Sequence, residues 1–94
     1  MKNVADLIKE DRLIELTQTL VEIPSVTGQE QPLADWMFDY LTSLGLDEVK
    51  RLPVEDAGDT IVAWLEGPQE GPQMMLLFHL DTFDICDGWG YGSV

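Results

Sequence analysis

The chain has 94 residues, of which 45% are hydrophobic and 24% are charged, as expected for one folded domain or part of one rather than for a disordered segment. Five lysine and arginine residues stand against eighteen aspartate and glutamate residues, which gives a formal net charge of −13. This balance argues against nucleic acids and anionic membranes as partners, because both attract clustered basic residues; we interpret the carboxylates as an acidic, solvated surface.

The first predicted element in chain order is an amphipathic helix. Its apolar residues recur at three- and four-residue spacing, which places them on one face of a helix: Leu13, Ile14, Leu16, Leu20 and Val21. Asp11 is a suitable N-cap, and Pro24 ends the pattern because proline disfavours helical geometry in the residue before it. Residues 3–10 are compatible with a separate turn or with an extension of this helix.

A loop of turn-forming residues, Ile23 to Gly28, precedes a second helix. Thr27 and Glu30 have the spacing of a capping box, but a helix that began there would place Pro32 at its fifth position, where the ring clashes with the preceding turn. A start near Gln29 leaves Pro32 in the first turn, where no amide donor is required. We therefore predict the later start.

The second helix is predicted to bury one face. The apolar residues of that face follow helical spacing: Leu33, Met37, Tyr40, Leu41 and Leu44. Gly45 is well placed to end the helix, because glycine readily adopts the left-handed conformation found after helix ends.

Three strands are predicted after the second helix. Asp47 to Leu52 is a weak candidate for an edge strand, and Thr60 to Leu65 is a stronger candidate that is rich in β-branched residues. Met74 to Leu80 is almost wholly apolar, which is typical of a strand buried on both faces of a helix-flanked sheet. Two helices followed by strands indicate an α/β fold.

No leader or membrane span is expected from the sequence. The first residues contain no apolar run before acidic residues appear, so we expect no signal peptide. The longest strongly apolar run, residues 74–78, is far shorter than the roughly 20 residues that a membrane helix needs. A lone cysteine, Cys86, excludes an internal disulfide framework, and we expect a cytoplasmic protein.

The end of the sequence completes no predicted element. Residues 87–94 are punctuated by glycine and form neither a helical nor a strand pattern. We therefore expect residues 1–94 to be a single, partial domain.

The candidate chemistry lies at the end of the apolar segment, at His79 and Asp81. In open α/β sheets ligands bind beyond the carboxyl ends of the strands. Residues two apart in an extended chain point to the same side, so the Asp81 carboxylate can accept the spare N–H of the imidazole and support His79 as a metal ligand. The alternative is that His79 is only a polar residue that caps the sheet.

Other reactive or aromatic residues have simpler interpretations. Cys86 lacks an activating base of its own, so we expect an ordinary thiol. Trp36 and Trp64 are predicted to pack in the core, whereas Trp89 is placed to border a substrate pocket. Ser25 has no partners that justify a catalytic triad.

The whole chain resembles the N-terminal part of the zinc-dependent exopeptidases and deacylases that include aminoacylase, acetylornithine deacetylase, succinyl-diaminopimelate desuccinylase and glutamate carboxypeptidase. Five segments carry the resemblance, in this order: Ile23 to Glu30, Leu44 to Leu46, Ile61 to Ala63, Leu76 to Thr82 and Asp87 to Trp89. The resemblance implies an N-terminal fragment of a catalytic domain with a helix-flanked mixed sheet.

The resemblance also implies roles for the two candidate residues. His79 would be a ligand of one zinc in a two-metal site, and Asp81 would be the catalytic carboxylate that orients and polarises it. The implied reaction is hydrolysis of an amide bond in a small N-acyl amino acid or peptide by a metal-activated water. Cobalt or manganese are alternatives to zinc, and a homo-oligomer is expected only for a full-length form.

Three departures from the family pattern are visible. Phe78 stands where glycine is common before the histidine, Phe83-Asp84 replaces the usual Val-Pro, and Asp59-Thr60 stands where an asparagine is common. These differences indicate a divergent branch or relaxed selection.

The remaining metal ligands, the general base and the lid or dimerisation domain lie further downstream in the family. We therefore expect the 94-residue chain to be a truncated fragment that is not catalytically competent alone. The alternative is a small acidic α/β interaction module, or a non-catalytic remnant, that pairs with another chain.

Overall fold

A computed structural model describes residues 3–83 of the chain. Within them the chain divides into two units, residues 3–23 and residues 24–83. The expected single partial domain over residues 1–94 stays a prediction. No helix in the described part of the chain is long and apolar enough to cross a membrane.

The first unit contains a 3-10 turn, Val4–Leu7, and a helix, α1, Glu10–Glu22. The turn is separate from the helix, and the Asn3 side chain caps it by accepting a hydrogen bond from the backbone N–H of Ala5 at 3.2 Å. The predicted amphipathic helix is confirmed, and Ile23 ends it in an extended conformation ahead of Pro24.

The predicted N-cap of α1 is wrong. Lys9 holds the N-cap position, and Asp11 lies in the first helical turn. A carboxylate there still interacts favourably with the positive end of the helix dipole. Asp11 therefore stabilises the start of α1 although it does not cap the helix. Apolar residues on the predicted face remain largely exposed: Leu13, Ile14 and Val21.

The second unit begins with α2, Gln31–Ser43, close to the predicted start. Pro32 lies in the first turn as predicted, and Gly45 follows the helix with a positive φ of 74°. On the predicted inner face Leu33 is buried, together with its neighbour Ala34. Leu44 belongs to the predicted face but is exposed, because it lies past the last turn as the C-cap.

Two strands form an antiparallel pair after α2. β1 is Glu48–Leu52 and β2 is Thr60–Trp64, with Val49 opposite Ala63 and Arg51 opposite Ile61. Helix α2 packs against both strands, so the small core lies between the helix and one face of the pair. Two helices followed by strands confirm the predicted α/β class.

The third predicted strand, Met74 to Leu80, is wrong for the described part of the chain. None of residues 66–81 forms a strand or helix, and residues 74–78 are 70–88% exposed. A strand buried on both faces needs neighbouring strands for its backbone groups and layers for its side chains. Within residues 3–83, β1 and β2 pair with each other and supply neither.

The expected core roles of two tryptophans differ in outcome. Trp36 is half-buried and stacks on Tyr40, with ring centroids 5.0 Å apart. Trp64 is exposed rather than packed in the core, since it ends β2 at the rim of the pair. The Lys50 ammonium lies 5.6 Å from the Trp64 ring centroid.

Candidate functional site

His79 and Asp81 contact each other, as their spacing predicts. The Nδ1 atom of His79 lies 2.8 Å from the backbone carbonyl of Asp81 and 3.1 Å from its Oδ1. Both neighbours are acceptors, so the arrangement favours the tautomer with the proton on Nδ1 and the lone pair on Nε2. The His79 side chain is 83% exposed, which leaves Nε2 accessible.

The Asp81 carboxylate receives a second hydrogen bond from Thr27, on the loop before α2. Thr27 Oγ1 donates to Oδ2 at 2.7 Å, while Oδ1 faces His79. The Thr27 hydrogen bond is the main cause that holds the pKa of Asp81 below its usual value; partial burial opposes it and the charge of His79 adds to it. Asp81 is therefore ionised at neutral pH.

Backbone hydrogen bonds bring Thr27 and Asp81 together. Val26 and Thr82 form an isolated parallel bridge. The Thr27 N–H donates to the Thr82 carbonyl at 3.2 Å, and the Thr82 N–H donates to the carbonyl of Ser25, which is buried, at 2.9 Å. These bonds fix Thr82, and Asp81, which precedes it, therefore lies beside the loop that carries Thr27.

Glu30 is a buried carboxylate that joins this loop to the connection between β1 and β2. Its Oε1 accepts the Gly28 N–H at 2.5 Å and its Oε2 accepts the Gly58 N–H at 2.9 Å, and Glu30 is only 9% exposed. The Gly58 amide, followed by the Gly28 amide, lowers the pKa of Glu30, against opposition from burial and from the charge of Asp81. Glu30 is an anion whose two oxygens are occupied by amides.

Gly58 is required at this contact. A Cβ atom on Gly58 would lie 2.8 Å from the backbone carbonyl carbon of Glu30, 2.8 Å from its Cβ and 2.9 Å from the nitrogen of Gln31. Real Cβ atoms do not approach backbone so closely. The absence of a side chain at position 58 therefore allows the Gly58 N–H to reach the Glu30 carboxylate.

A polar network next to Glu30 holds the start of α2 against β1. The Arg51 guanidinium contacts Asp35 Oδ1 at 2.5 Å and Asp59 Oδ2 at 3.4 Å, and it lies 4.3 Å from the Phe38 ring centroid. Gln31 donates to both carboxylates and accepts the Asp59 N–H at 3.1 Å. Asp59, one of the departures from the family pattern, thus fixes the segment that carries Gly58.

A cleft of about 320 Å³ lies beside these residues. Its polar border includes Glu30, His79 and Asp81, and its apolar border includes Met37 and Leu41 of α2. A concave apolar surface with a few polar groups is typical of a small-molecule site.

The described residues do not fit a complete metal centre. Among residues 3–83 no group of three or more His, Cys, Asp or Glu side chains could hold a metal ion, whereas a catalytic zinc has three protein ligands. His79 offers one accessible nitrogen, while the oxygens of Glu30 and Asp81 accept hydrogen bonds from amides, a hydroxyl and an imidazole. Cys86 and Trp89 lie outside the described residues.

Sequence reasoning paired His79 with Asp81 but missed the residues that support them. Thr27 and Glu30 belong to the Ile23 to Glu30 segment that carries the resemblance and have the spacing of a capping box, and no local pattern singles out Gly58. Glu30 does occupy the N-cap position of α2, yet its side chain reaches Gly28 and Gly58 rather than completing a capping box. Because 54 residues separate Thr27 from Asp81, no local pattern could link them.

Comparisons with known proteins give two curated relatives. A protein of Thermococcus kodakarensis named as a LysW-lysine and LysW-ornithine hydrolase is 34% identical over an alignment 96 residues long. The alignment covers 94% of this chain and 26% of the relative. A peptidase M20 domain-containing protein of Schizosaccharomyces pombe is 38% identical over 74 residues, which cover 77% of this chain and 18% of the relative. The chain thus spans about a quarter or less of these relatives. No protein-family model matches the chain, and no solved structure matches it.

Proposed function

This chain resembles the M20 family of metallopeptidases, and on that premise we propose that it forms part of the active site of a metal-dependent hydrolase of amide or peptide bonds. The names of the two relatives, a hydrolase and a peptidase-domain protein, support a hydrolase family. The observation that carries the proposal to particular residues is the contact between His79 Nδ1 and the Asp81 carboxylate.

His79 is the metal ligand of this proposal, through Nε2. The Asp81 carboxylate accepts a hydrogen bond from the Nδ1–H group, which fixes the tautomer and raises the basicity of Nε2. The metal is zinc, with cobalt or manganese as alternatives, and the complete site holds two ions. When bound, the metal supplies an activated water for hydrolysis.

Small N-acyl amino acids or peptides are the proposed substrates. The cleft beside His79 has the volume of a small-molecule site and an apolar wall, which suits an acyl group or an apolar side chain. The further metal ligands lie outside residues 3–83, since the described residues supply one. For that reason we propose that the 94-residue chain is a fragment without catalytic competence on its own.

Zinc binding by the intact chain tests the proposal. Isothermal titration with Zn²⁺ is expected to show weak binding, since residues 3–83 supply one ligand, and His79→Ala should lower it by about tenfold or more because His79 is the one histidine of the chain. Thr42→Val is the matched control: the Thr42 hydroxyl donates to the Phe38 carbonyl within α2 and Thr42 does not line the cleft that contains His79, so Zn²⁺ affinity should not change. Equal affinity in His79→Ala and the parent would refute the ligand role.

Hydrolysis should be measured on the same samples with N-acetyl amino acids and dipeptides in the presence of Zn²⁺. No turnover above the buffer rate is expected for the 94-residue chain. Turnover that His79→Ala abolishes would contradict the proposed lack of competence and would support the hydrolase assignment.

The second candidate function is an acidic α/β interaction module that pairs with another chain. The observation in its favour is the exposure of five successive apolar side chains at residues 74–78. Monomeric proteins rarely leave contiguous apolar surface of this kind uncovered.

A further inference from the structure

We propose that Thr27 is a positioning residue of the His79–Asp81 pair: its hydroxyl fixes the Asp81 carboxylate so that the other carboxylate oxygen holds the Nδ1 proton of His79. The metal-related consequence of this role rests on the proposed function, but the hydrogen-bonding role does not. Thr27 acts through Asp81, since its hydroxyl contacts the carboxylate and not the imidazole.

The geometry assigns one donor to each carboxylate oxygen. Thr27 Oγ1 lies 2.7 Å from Oδ2 and His79 Nδ1 lies 3.1 Å from Oδ1. A carboxylate turns readily about the bond that joins it to Cβ, because this terminal torsion is broad. The short hydroxyl contact at Oδ2 therefore restricts the plane of the carboxylate and with it the position of Oδ1.

The backbone holds Thr27 independently of its hydroxyl. Its N–H donates to the Thr82 carbonyl at 3.2 Å, and the Thr82 N–H donates to Ser25 in return. On the following side, Glu30 accepts the Gly28 N–H. A substitution that removes only the hydroxyl therefore leaves the loop in place, which makes the role of the hydroxyl separable from folding.

The Nδ1 atom of His79 has a second acceptor besides the carboxylate. The Asp81 carbonyl lies 2.8 Å from Nδ1, closer than Oδ1. If that carbonyl were sufficient to hold the proton on Nδ1, loss of the Thr27 hydroxyl would not change the tautomer of His79. The proposal requires that the carboxylate contributes and that Thr27 keeps it in position.

The tautomer of His79 is the direct readout. His79 is the one histidine in the sequence, so its ring nitrogens give unambiguous signals in ¹⁵N-labelled protein, and the spectra are recorded on the neutral form of the ring. The parent should show predominantly the Nδ1–H form. Thr27→Val, which is close to threonine in shape but lacks the hydroxyl, should shift the ratio of the two tautomers by about tenfold towards Nε2–H, the size expected for one hydrogen bond to a charged group.

Three further variants make the test specific. Thr27→Ser restores a hydroxyl and should restore the parent ratio, whereas Thr42→Val removes a hydroxyl within α2 and should leave the ratio unchanged. Thr27→Ala replaces Thr27→Val if amide spectra show that valine disturbs the fold, with the same expected shift. Persistence of the Nδ1–H form in a folded Thr27→Val or Thr27→Ala variant overturns the proposal, as does failure of Thr27→Ser to restore the ratio.

Zinc titration separates this proposal from the proposed function. Thr27→Val should weaken Zn²⁺ binding by about tenfold, because partners that orient a ligand typically contribute that much. If His79→Ala leaves Zn²⁺ affinity unchanged while Thr27→Val still shifts the tautomer, the metal function fails and the positioning role stands. If His79→Ala weakens binding while Thr27→Val affects neither readout, the positioning role alone fails.

Discussion

At the scale of single residues, the candidate site depends on carboxylates whose oxygens all have donors. Glu30 is the clearest case, since it is buried and its two oxygens accept two backbone amides from different segments. A buried charge is tolerated when hydrogen bonds replace the lost water. The ionised form of Glu30 is thus the form that the fold stabilises.

Glu30 should make stability depend on pH in the acid range. Its pKa in the folded chain is lowered from the ordinary value of 4.5, so its contribution is present above pH 4.5 and is lost as the pH falls through the lowered value. Urea unfolding between pH 7 and pH 3 should therefore show a loss of stability on acidification.

Glu30→Gln should lower the free energy of unfolding at pH 7, because an amide NH₂ group would face a backbone N–H at one of the two contacts. It should also flatten the dependence on pH below 4.5. Glu55→Gln, an exposed carboxylate in the connection between β1 and β2, is the control and should retain the parent curve. A Glu30→Gln variant as stable as the parent at pH 7 would contradict the role assigned to this carboxylate.

At the scale of elements, the connection between β1 and β2 matters because it approaches the start of α2 without a side chain at Gly58. Gly58→Ala should destabilise the fold by about 1–3 kcal/mol, the usual cost of forcing extra volume into a packed contact, since the new Cβ would lie 2.8 Å from backbone of Glu30. Chemical denaturation measures the change.

Gly71→Ala is the matched control for Gly58→Ala. A Cβ at position 71 meets nothing within 4 Å, and its φ is not in the left-handed region. Alanine there should be neutral or should stabilise by a few tenths of a kcal/mol through the unfolded state. Equal stability of Gly58→Ala and Gly71→Ala would show that the loop moves aside without cost.

The elements differ in how well the sequence alone predicts them. Helix α2 was predictable because its periodicity, Pro32 near its start and Gly45 after its end all act locally. The strand predicted at Met74 to Leu80 was wrong for the described residues because its apolar composition reports burial, and burial depends on partners that the local sequence does not contain. The His79–Asp81 contact was predictable from a spacing of two, whereas Thr27 and Gly58 act across the fold.

At the scale of the whole molecule, two properties oppose each other. A net charge of −13 causes copies of the chain to repel one another at low salt, while the exposed apolar side chains of residues 74–78 favour association. Salt screens the repulsion and leaves the apolar attraction. Association is therefore expected to depend strongly on ionic strength.

Sedimentation velocity should show association that increases with protein concentration and with NaCl. Leu77→Lys should reduce it, because Leu77 is the most exposed residue of the run at 88% and a lysine there interrupts the apolar surface. Leu65→Lys changes a similarly exposed leucine outside residues 74–78 and should have the smaller effect. A parent chain that stays monomeric at all salt concentrations would exclude self-association through this run.

The contact between Thr27 and Asp81 also bears on the order of events in folding. His79 and Asp81 are two residues apart, so they can meet in a chain that has formed nothing else. The Thr27 contact closes a loop of 54 residues, and the chain entropy lost in closing a loop of that length must be offset by other long-range contacts. The imidazole should therefore reach its final tautomer ratio only when this loop closes, and a single ring nitrogen signal would time that step during refolding.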